Sequence, residues 1–215
     1  VIIEYFRAKS LVREEPNGNV HLNPYMGCQH DCAYCDGKAE HYNMHADFGT
    51  RVRVKENAPE LLEAYLRKRG FLPMNRKKTG TLLDLGIAPA SVPRKFVIGI
   101  SGGVCDIYQP AEAEVGMSRR MLEVVRDYDF PVALLTKNKL VLRDLDLLKE
   151  INVGAGATVC MTVVFSRENE RLREIFEPGA STIEERFEAL KVLAGNGITT
   201  GIWMLPILPW LGDAE

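Results

Sequence analysis

Three cysteines, Cys28, Cys32 and Cys35, fall within eight residues of the stretch Asn23-Pro24-Tyr25-Met26-Gly27-Cys28-Gln29-His30-Asp31-Cys32-Ala33-Tyr34-Cys35. Such clustering points to a metal. The C-x3-C-x2-C spacing supplies three thiolates and no fourth, whereas an ordinary iron–sulfur or structural zinc site uses four protein ligands. Three readings of that count are open. A three-cysteine [4Fe-4S] cluster keeps one iron free for a substrate or cofactor. A zinc ion accepts Cys3His, with His30, His21, His41 or His45 as the fourth ligand. On a helix the three positions share one face, so the thiols would form an apolar stripe in a core. Against that last reading, Tyr25 to Asp31 offers no apolar partners at helical spacing, and Asn23-Pro24 and Gly27 break a helix rather than start one.

The surrounding elements have to position this loop. Residues 1–22 read as an extended segment with a turn at Asn17-Gly18, and the strand Val20-His21-Leu22 leads into the cysteines. After an irregular stretch, Val52 and Val54 alternate with Arg51, Arg53 and Lys55 as in a half-exposed strand. Asn57 is suited to cap a helix with Pro59 in its first turn, an apolar face of Leu61, Leu62, Tyr65 and Leu66, and a stop at Gly70. Residues 71–94 have no clear period beyond a short piece around Thr81 to Leu85, and read as a long loop or insertion.

A strand–helix rhythm follows. Phe96 to Ile100 is a continuous apolar run, typical of a strand buried on both faces of a parallel sheet. A helix over 111–128, a strand at Val132 to Leu135, a helix around 143–150, a strand at Ala157 to Phe165 and a short helix at 168–175 come next. Ser181-Thr182-Ile183-Glu184 reads as a capping box that opens a helix ending at Gly197, and Ile198 to Leu205 is the last strand. Such alternation predicts an α/β fold with a parallel sheet and right-handed crossovers, either a doubly wound sheet or a barrel.

At 215 residues, with no linker-like composition, the chain reads as one domain. Five cysteines, with Cys105 and Cys160 in apolar strand-like runs, give no disulfide framework, which predicts a reducing, cytoplasmic setting. No apolar run nears the ~20 residues of a membrane span, and the N-terminus lacks the layout of a signal peptide. A net charge of −2 argues against broad nucleic-acid binding, which draws on Lys and Arg. Arg67-Lys68-Arg69 with Arg76-Lys77-Lys78 is the local basic candidate, although charge runs are usually solvated faces.

The cysteine loop, with Asn23-Pro24-Tyr25 before it, a tyrosine preceding the last cysteine and Asp36-Gly37 after it, resembles the cluster loop of the radical S-adenosylmethionine superfamily, in its spore photoproduct lyase-like (DNA repair photolyase-like) branch. Asp106-Ile107-Tyr108-Gln109-Pro110-Ala111-Glu112, and Phe176-Glu177-Pro178-Gly179-Ala180-Ser181 with Glu185-Arg186-Phe187-Glu188-Ala189, resemble later stretches of that branch. The resemblance spans roughly residues 20 to 213. It implies a partial (β/α)6 barrel with cofactor at the carboxyl ends of the strands, here lacking its last unit because the chain stops at Gly212-Asp213-Ala214-Glu215. It also implies two cofactors, a [4Fe-4S] cluster on Cys28, Cys32 and Cys35 within the loop 23–36, and S-adenosylmethionine on the fourth iron. One electron would cleave the latter to a 5′-deoxyadenosyl radical that abstracts hydrogen.

By the same resemblance Tyr34 lines the adenine, Ser101, Gly102 and Gly103 meet the methionyl amine, Lys137 meets the carboxylate and Thr162 contacts the cofactor. Val104 departs from the glutamate often found after the two glycines. Asp106, Gln109 and Glu112 fall at the mouth of the barrel or cap the helix that starts there. The branch's hydrogen-donor cysteine aligns with Gly103, which leaves Cys105, two residues on, as the candidate donor. Implied partners are an electron donor such as flavodoxin or ferredoxin and an unknown substrate, a nucleic-acid lesion by resemblance, with peptide, nucleotide or tRNA also open. The rival classes are an electron-transfer or sensing iron–sulfur protein and a zinc-stabilised binding module.

Overall fold

The chain's extended segments divide between two sheets. The computed structural model describes residues 1–39, 46–74, 95–100 and 104–212. Expectations for His41, His45, the basic Arg76-Lys77-Lys78, the short piece at Thr81 to Leu85, the strand-end Ser101, Gly102 and Gly103, and the last three residues lie outside the described residues. The smaller sheet sets β1 (Ile2–Phe6) parallel to β5 (Arg51–Lys55), which pairs antiparallel with β4 (Tyr25–Met26). The larger sheet has six strands in the order β2 (Val12–Glu14), β3 (Val20–Leu22), β6 (Ile98–Ile100), β7 (Val132–Thr136), β8 (Ala157–Thr162) and β9 (Thr199–Trp203). Only β2 runs antiparallel to its neighbour; β3 through β9 pair in parallel.

That strand order never reverses. A doubly wound sheet needs a reversal, because it sends later crossovers back along the sheet to cover its other face. Here the connections from β3 to β9 all advance in one direction, and crossovers that obey the right-handed rule then put their helices on one face. The helices are α1 (Ala58–Lys68), α2 (Glu112–Val115), α3 (Met117–Asp127), α4 (Leu145–Gly154), α5 (Glu170–Phe176) and α6 (Ile183–Gly195). Val132 and Leu134 of β7 and Ala157, Val159 and Met161 of β8 enter the core with Met121, Leu122, Leu148, Ile151 and Leu193. Their alternates Leu135 and Cys160 are only half-buried, and the two are register partners on the sheet's other face. The carboxyl ends of β7, β8 and β9 place Thr136, Thr162 and Trp203 at one edge.

Local chemistry explains where elements depart from their expected bounds. Gly116, at φ +65°, splits the helix expected over 111–128 into α2 and α3. Asn57 holds the N-cap position of α1, but its side chain caps no N–H there; its amide exchanges hydrogen bonds of 2.8 and 2.9 Å with the Ala8 backbone and ties the end of β1 to that helix. The run from Ala157 stops being a strand at Thr162, since Val163, Val164 and Phe165 turn to pack with Ile183 in a second small core. Cys105 itself sits in a bend. Cys160 lies within β8 but outside the tightly packed core.

The capping box is displaced by one residue. Thr182, not Ser181, is the N-cap of α6: its Oγ1 accepts the Glu185 N–H at 3.1 Å, and the Glu185 carboxylate accepts the Thr182 N–H at 3.0 Å. Ser181 instead accepts the Lys139 N–H at 2.9 Å and bonds Asn138 at 3.2 Å, joining α6 to the turn after β7. Thr182→Ala should therefore cost about 1 kcal/mol and lower the melting temperature by roughly 2–4 °C. An unchanged melting temperature would show that the cap contributes nothing.

Candidate cofactor site

The stretch from Asn23 to Cys35 is not helical, which removes the apolar-stripe reading of its cysteines. Asn23 shapes its entry: its Oδ1 accepts the Tyr25 N–H at 2.8 Å and its Nδ2 donates to the Cys105 carbonyl at 2.9 Å. Gly27, at φ +91°, makes the turn into Cys28, where an L side chain would be strained. Two glutamines then lock the loop in place. Gln109 accepts the Gln29 N–H at 2.9 Å and donates to the Gly27 carbonyl at 3.1 Å, while the Gln29 side chain accepts the Ala111 N–H. On the other side Gly179 approaches so closely that a Cβ there would lie 1.9 Å from the Gln29 carbonyl oxygen. The Ala33 N–H reaches the Phe176 carbonyl at 2.8 Å.

The two later stretches read from the sequence thus brace the loop from opposite sides. Glu112 is a cap, but of α3 and not of the turn it starts. Fully buried, it accepts the Met117 and Ser118 N–H groups at 3.0 Å each, and so caps α3 from beyond the Gly116 turn; it also takes Arg143 at 2.6 Å and the Tyr25 hydroxyl. Ordinary cap spacing gives no hint of this, because the carboxylate precedes the N–H groups it serves by five and six residues.

Cys28, Cys32 and Cys35 line one cavity of about 490 Å³, shared with Cys105, Tyr34, Lys137 and Thr162 and, from the end of β9 onward, Trp203, Leu205 and Pro206. Every described residue expected to touch cofactor is therefore at this one place. Burial pushes the thiols up: Cys28 well above its usual value, Cys32 and Cys105 to about 12, and Cys35 upward less far. Left alone these thiols stay protonated, and a bound cationic centre is what would make them thiolates. Among the described residues no three His, Cys, Asp or Glu side chains come together around a point that would seat a single ion.

The candidate fourth zinc ligands are placed accordingly. His21 is exposed on β3, its ring over Gly99. His30 is buried on the cavity wall, its Nδ1 3.4 Å from Asp106 Oδ2 without the alignment of a hydrogen bond and its Nε2 3.4 Å from Asn138 Nδ2. Asp106 itself is the knot of the site. It accepts the Thr136 hydroxyl and the Lys137 N–H at 2.7 Å and the Tyr108 N–H at 2.8 Å, and its own N–H donates to Cys28 Sγ at 3.5 Å. Burial opposes its ionisation, but the facing His30 and these hydrogen bonds outweigh burial and hold the carboxyl at about 2.

Opposite, the Tyr34 hydroxyl donates to Glu177, a fully buried carboxylate paired with the equally buried Arg186. The Lys137 ammonium stands 5.7 Å from the centre of the Tyr34 ring, within cation–π range.

No family model matches the chain. Among curated proteins it is similar to an uncharacterized protein of Methanocaldococcus jannaschii, with 30% identity over 203 residues covering 93% of this chain and 64% of that one. An uncharacterized protein of Mycobacterium tuberculosis is 26% identical over 215 residues, covering 96% and 56%. The chain thus spans less than two thirds of the length of these relatives. Among solved structures, spore photoproduct lyase complexed with dinucleoside spore photoproduct superposes with a TM-score of 0.64 at 17% identity, over 96% of this chain and 52% of that one. A mutant of that enzyme with bound AdoMet and the same dinucleoside gives 0.62 at 17% identity, over 95% and 50%. The chain has the fold of spore photoproduct lyase. That finding agrees with the resemblance carried by the cysteine loop and by the two bracing segments. Among the described residues no helix is long and apolar enough to cross a membrane.

Asp106 yields a prediction with a definite sign. A carboxyl lowered from 3.8 to about 2 on folding adds stability that is fully present above pH about 4 and is lost as the pH falls through about 2. That contribution amounts to about 2 kcal/mol by linkage. In the metal-free protein Asp106→Asn should remove it and flatten the acid limb of the stability curve, measured by urea unfolding across that range. An acid limb identical in the two proteins would contradict this role.

Proposed function

We propose that the chain is a radical S-adenosylmethionine enzyme domain, its parallel sheet forming the partial barrel of that class. One observation supports this most directly: the loop thiols, Tyr34, the end of β7 and the end of β8 all line a single cavity at the carboxyl edge of the strands. In this reading Cys28, Cys32 and Cys35 hold three irons of a [4Fe-4S] cluster and leave the fourth open. When bound, the cluster supplies the electron that splits S-adenosylmethionine into methionine and a 5′-deoxyadenosyl radical.

The chain's own residues provide the rest. Tyr34 offers a ring for the adenine, and Lys137, a cation at the strand end, offers its ammonium to the methionyl carboxylate. Thr162 closes the far wall. Ser101, Gly102 and Gly103, by resemblance, take the amine. Asp106 fixes the backbone of Lys137 and donates its N–H to one cluster thiol, and so holds the carboxylate-binding residue in register with the metal. Cys105 is the candidate hydrogen donor. It is 1% exposed, lines the same cavity, and burial keeps its thiol protonated, as a group that gives up a hydrogen atom must be.

The domain would work in a reducing, cytoplasmic setting with a flavodoxin- or ferredoxin-like electron donor. A nucleic-acid lesion is the substrate suggested by the dinucleoside on the neighbouring lyase, and the net charge of −2 leaves any such grip to a local patch. Anaerobic reconstitution followed by dithionite and S-adenosylmethionine should yield 5′-deoxyadenosine, and Cys32→Ala should abolish it. A loaded cluster that yields none would favour the electron-carrier class, and zinc without sulfide would favour a binding module.

A further inference from the structure

Resting on that reading, the geometry points to the buried pair Glu177–Arg186 as the positioning device of the cofactor cavity, acting on the nucleoside end of S-adenosylmethionine through Tyr34. Both side chains are 0% exposed. A pair of apolar residues would fill the same space without the desolvation cost of two charges, so charge here needs a reason beyond packing. Its bonds supply one. Glu177 takes the Tyr34 hydroxyl from the cysteine loop. Arg186 donates to the Thr162 carbonyl at 2.9 Å, at the end of β8, and to the Ser181 carbonyl at 3.0 Å. The Ser181 N–H in turn donates to the Lys137 carbonyl at 3.1 Å.

Two cavity-lining residues, Tyr34 and Thr162, therefore meet at one ion pair, and a third, Lys137, is tied to it through the Ser181 backbone. The Tyr34 ring, flanked by the Lys137 ammonium, has its tilt set by a hydrogen bond at its far end. Loss of that bond frees the ring without removing any of the three thiols. Glu177 and Arg186 are thus positioning residues, and their effect falls on the part of the ligand that meets the ring.

The test is anaerobic calorimetry on the reconstituted protein, titrated with S-adenosylmethionine and separately with methionine, which has the amine and carboxylate but no nucleoside. Tyr34→Phe keeps the ring and removes the hydroxyl; Glu177→Gln alters the acceptor. Each should weaken S-adenosylmethionine about tenfold, and the double variant no further, because both act through one bond. Methionine binding should change less than about twofold.

Wild-type affinity for S-adenosylmethionine in Tyr34→Phe, equal losses for both ligands, or multiplying losses in the double variant would each overturn the positioning role. If Glu177→Gln does not fold, the two titrations of Tyr34→Phe still decide. A wild-type protein that binds no S-adenosylmethionine would overturn the cofactor reading itself, and this inference with it.

Discussion

Three thiols on the wall of one cavity, two buried and one half-buried, impose the constraint that the rest of the molecule serves. A buried thiolate is costly, and burial alone pushes these thiols toward the protonated form. They become ligands only where a cation meets them, and a loop carrying them must be held in place before that cation arrives. Backbone irregular enough to present three sulfurs to one cavity makes few ladder bonds of its own. Its polar groups have to be satisfied from elsewhere.

Two distant segments supply those partners. The one after β6 brings Asp106 and Gln109, which bond Gln29, Gly27 and the Cys28 thiol while Asp106 also grips the end of β7. The one after α5 brings Gly179 against the Gln29 carbonyl and Glu177 against the Tyr34 hydroxyl. Loop, strand ends and helix starts are thereby fastened to each other through buried polar groups, and among the buried side-chain nitrogens and oxygens of the described residues His30 Nδ1 alone lacks a hydrogen-bond partner. Such networks specify one geometry more than they add stability, which suits a site where a metal, a ring and a strand-end cation must share a cavity.

Much of this was legible beforehand. The thiol spacing singles out the loop that lines the cavity, and the apolar runs at Phe96, Val132, Ala157 and Ile198 locate the parallel strands, although only β6 is buried along its whole length. Periodicity could not choose between sheet windings, since winding depends on the order of strands in space. The hidden features were those in which a side chain serves backbone far away in the chain. Asn57 looked like a cap and bonds Ala8; Ser181 looked like a cap and yields to Thr182; Glu112 caps α3 from across a left-handed glycine. Nothing in local spacing distinguishes these from ordinary caps. The Glu177–Arg186 pair looked like a family signature without a role, and it takes one only when Tyr34 and Thr162 are seen on either side of it.

Mössbauer spectroscopy of the iron-reconstituted protein, with and without S-adenosylmethionine, tests the central claim most directly. A [4Fe-4S] cluster in which one iron differs from the other three and shifts when S-adenosylmethionine is added is the expected result. Four equivalent irons indifferent to S-adenosylmethionine, or a protein that takes up zinc in place of iron, would contradict it.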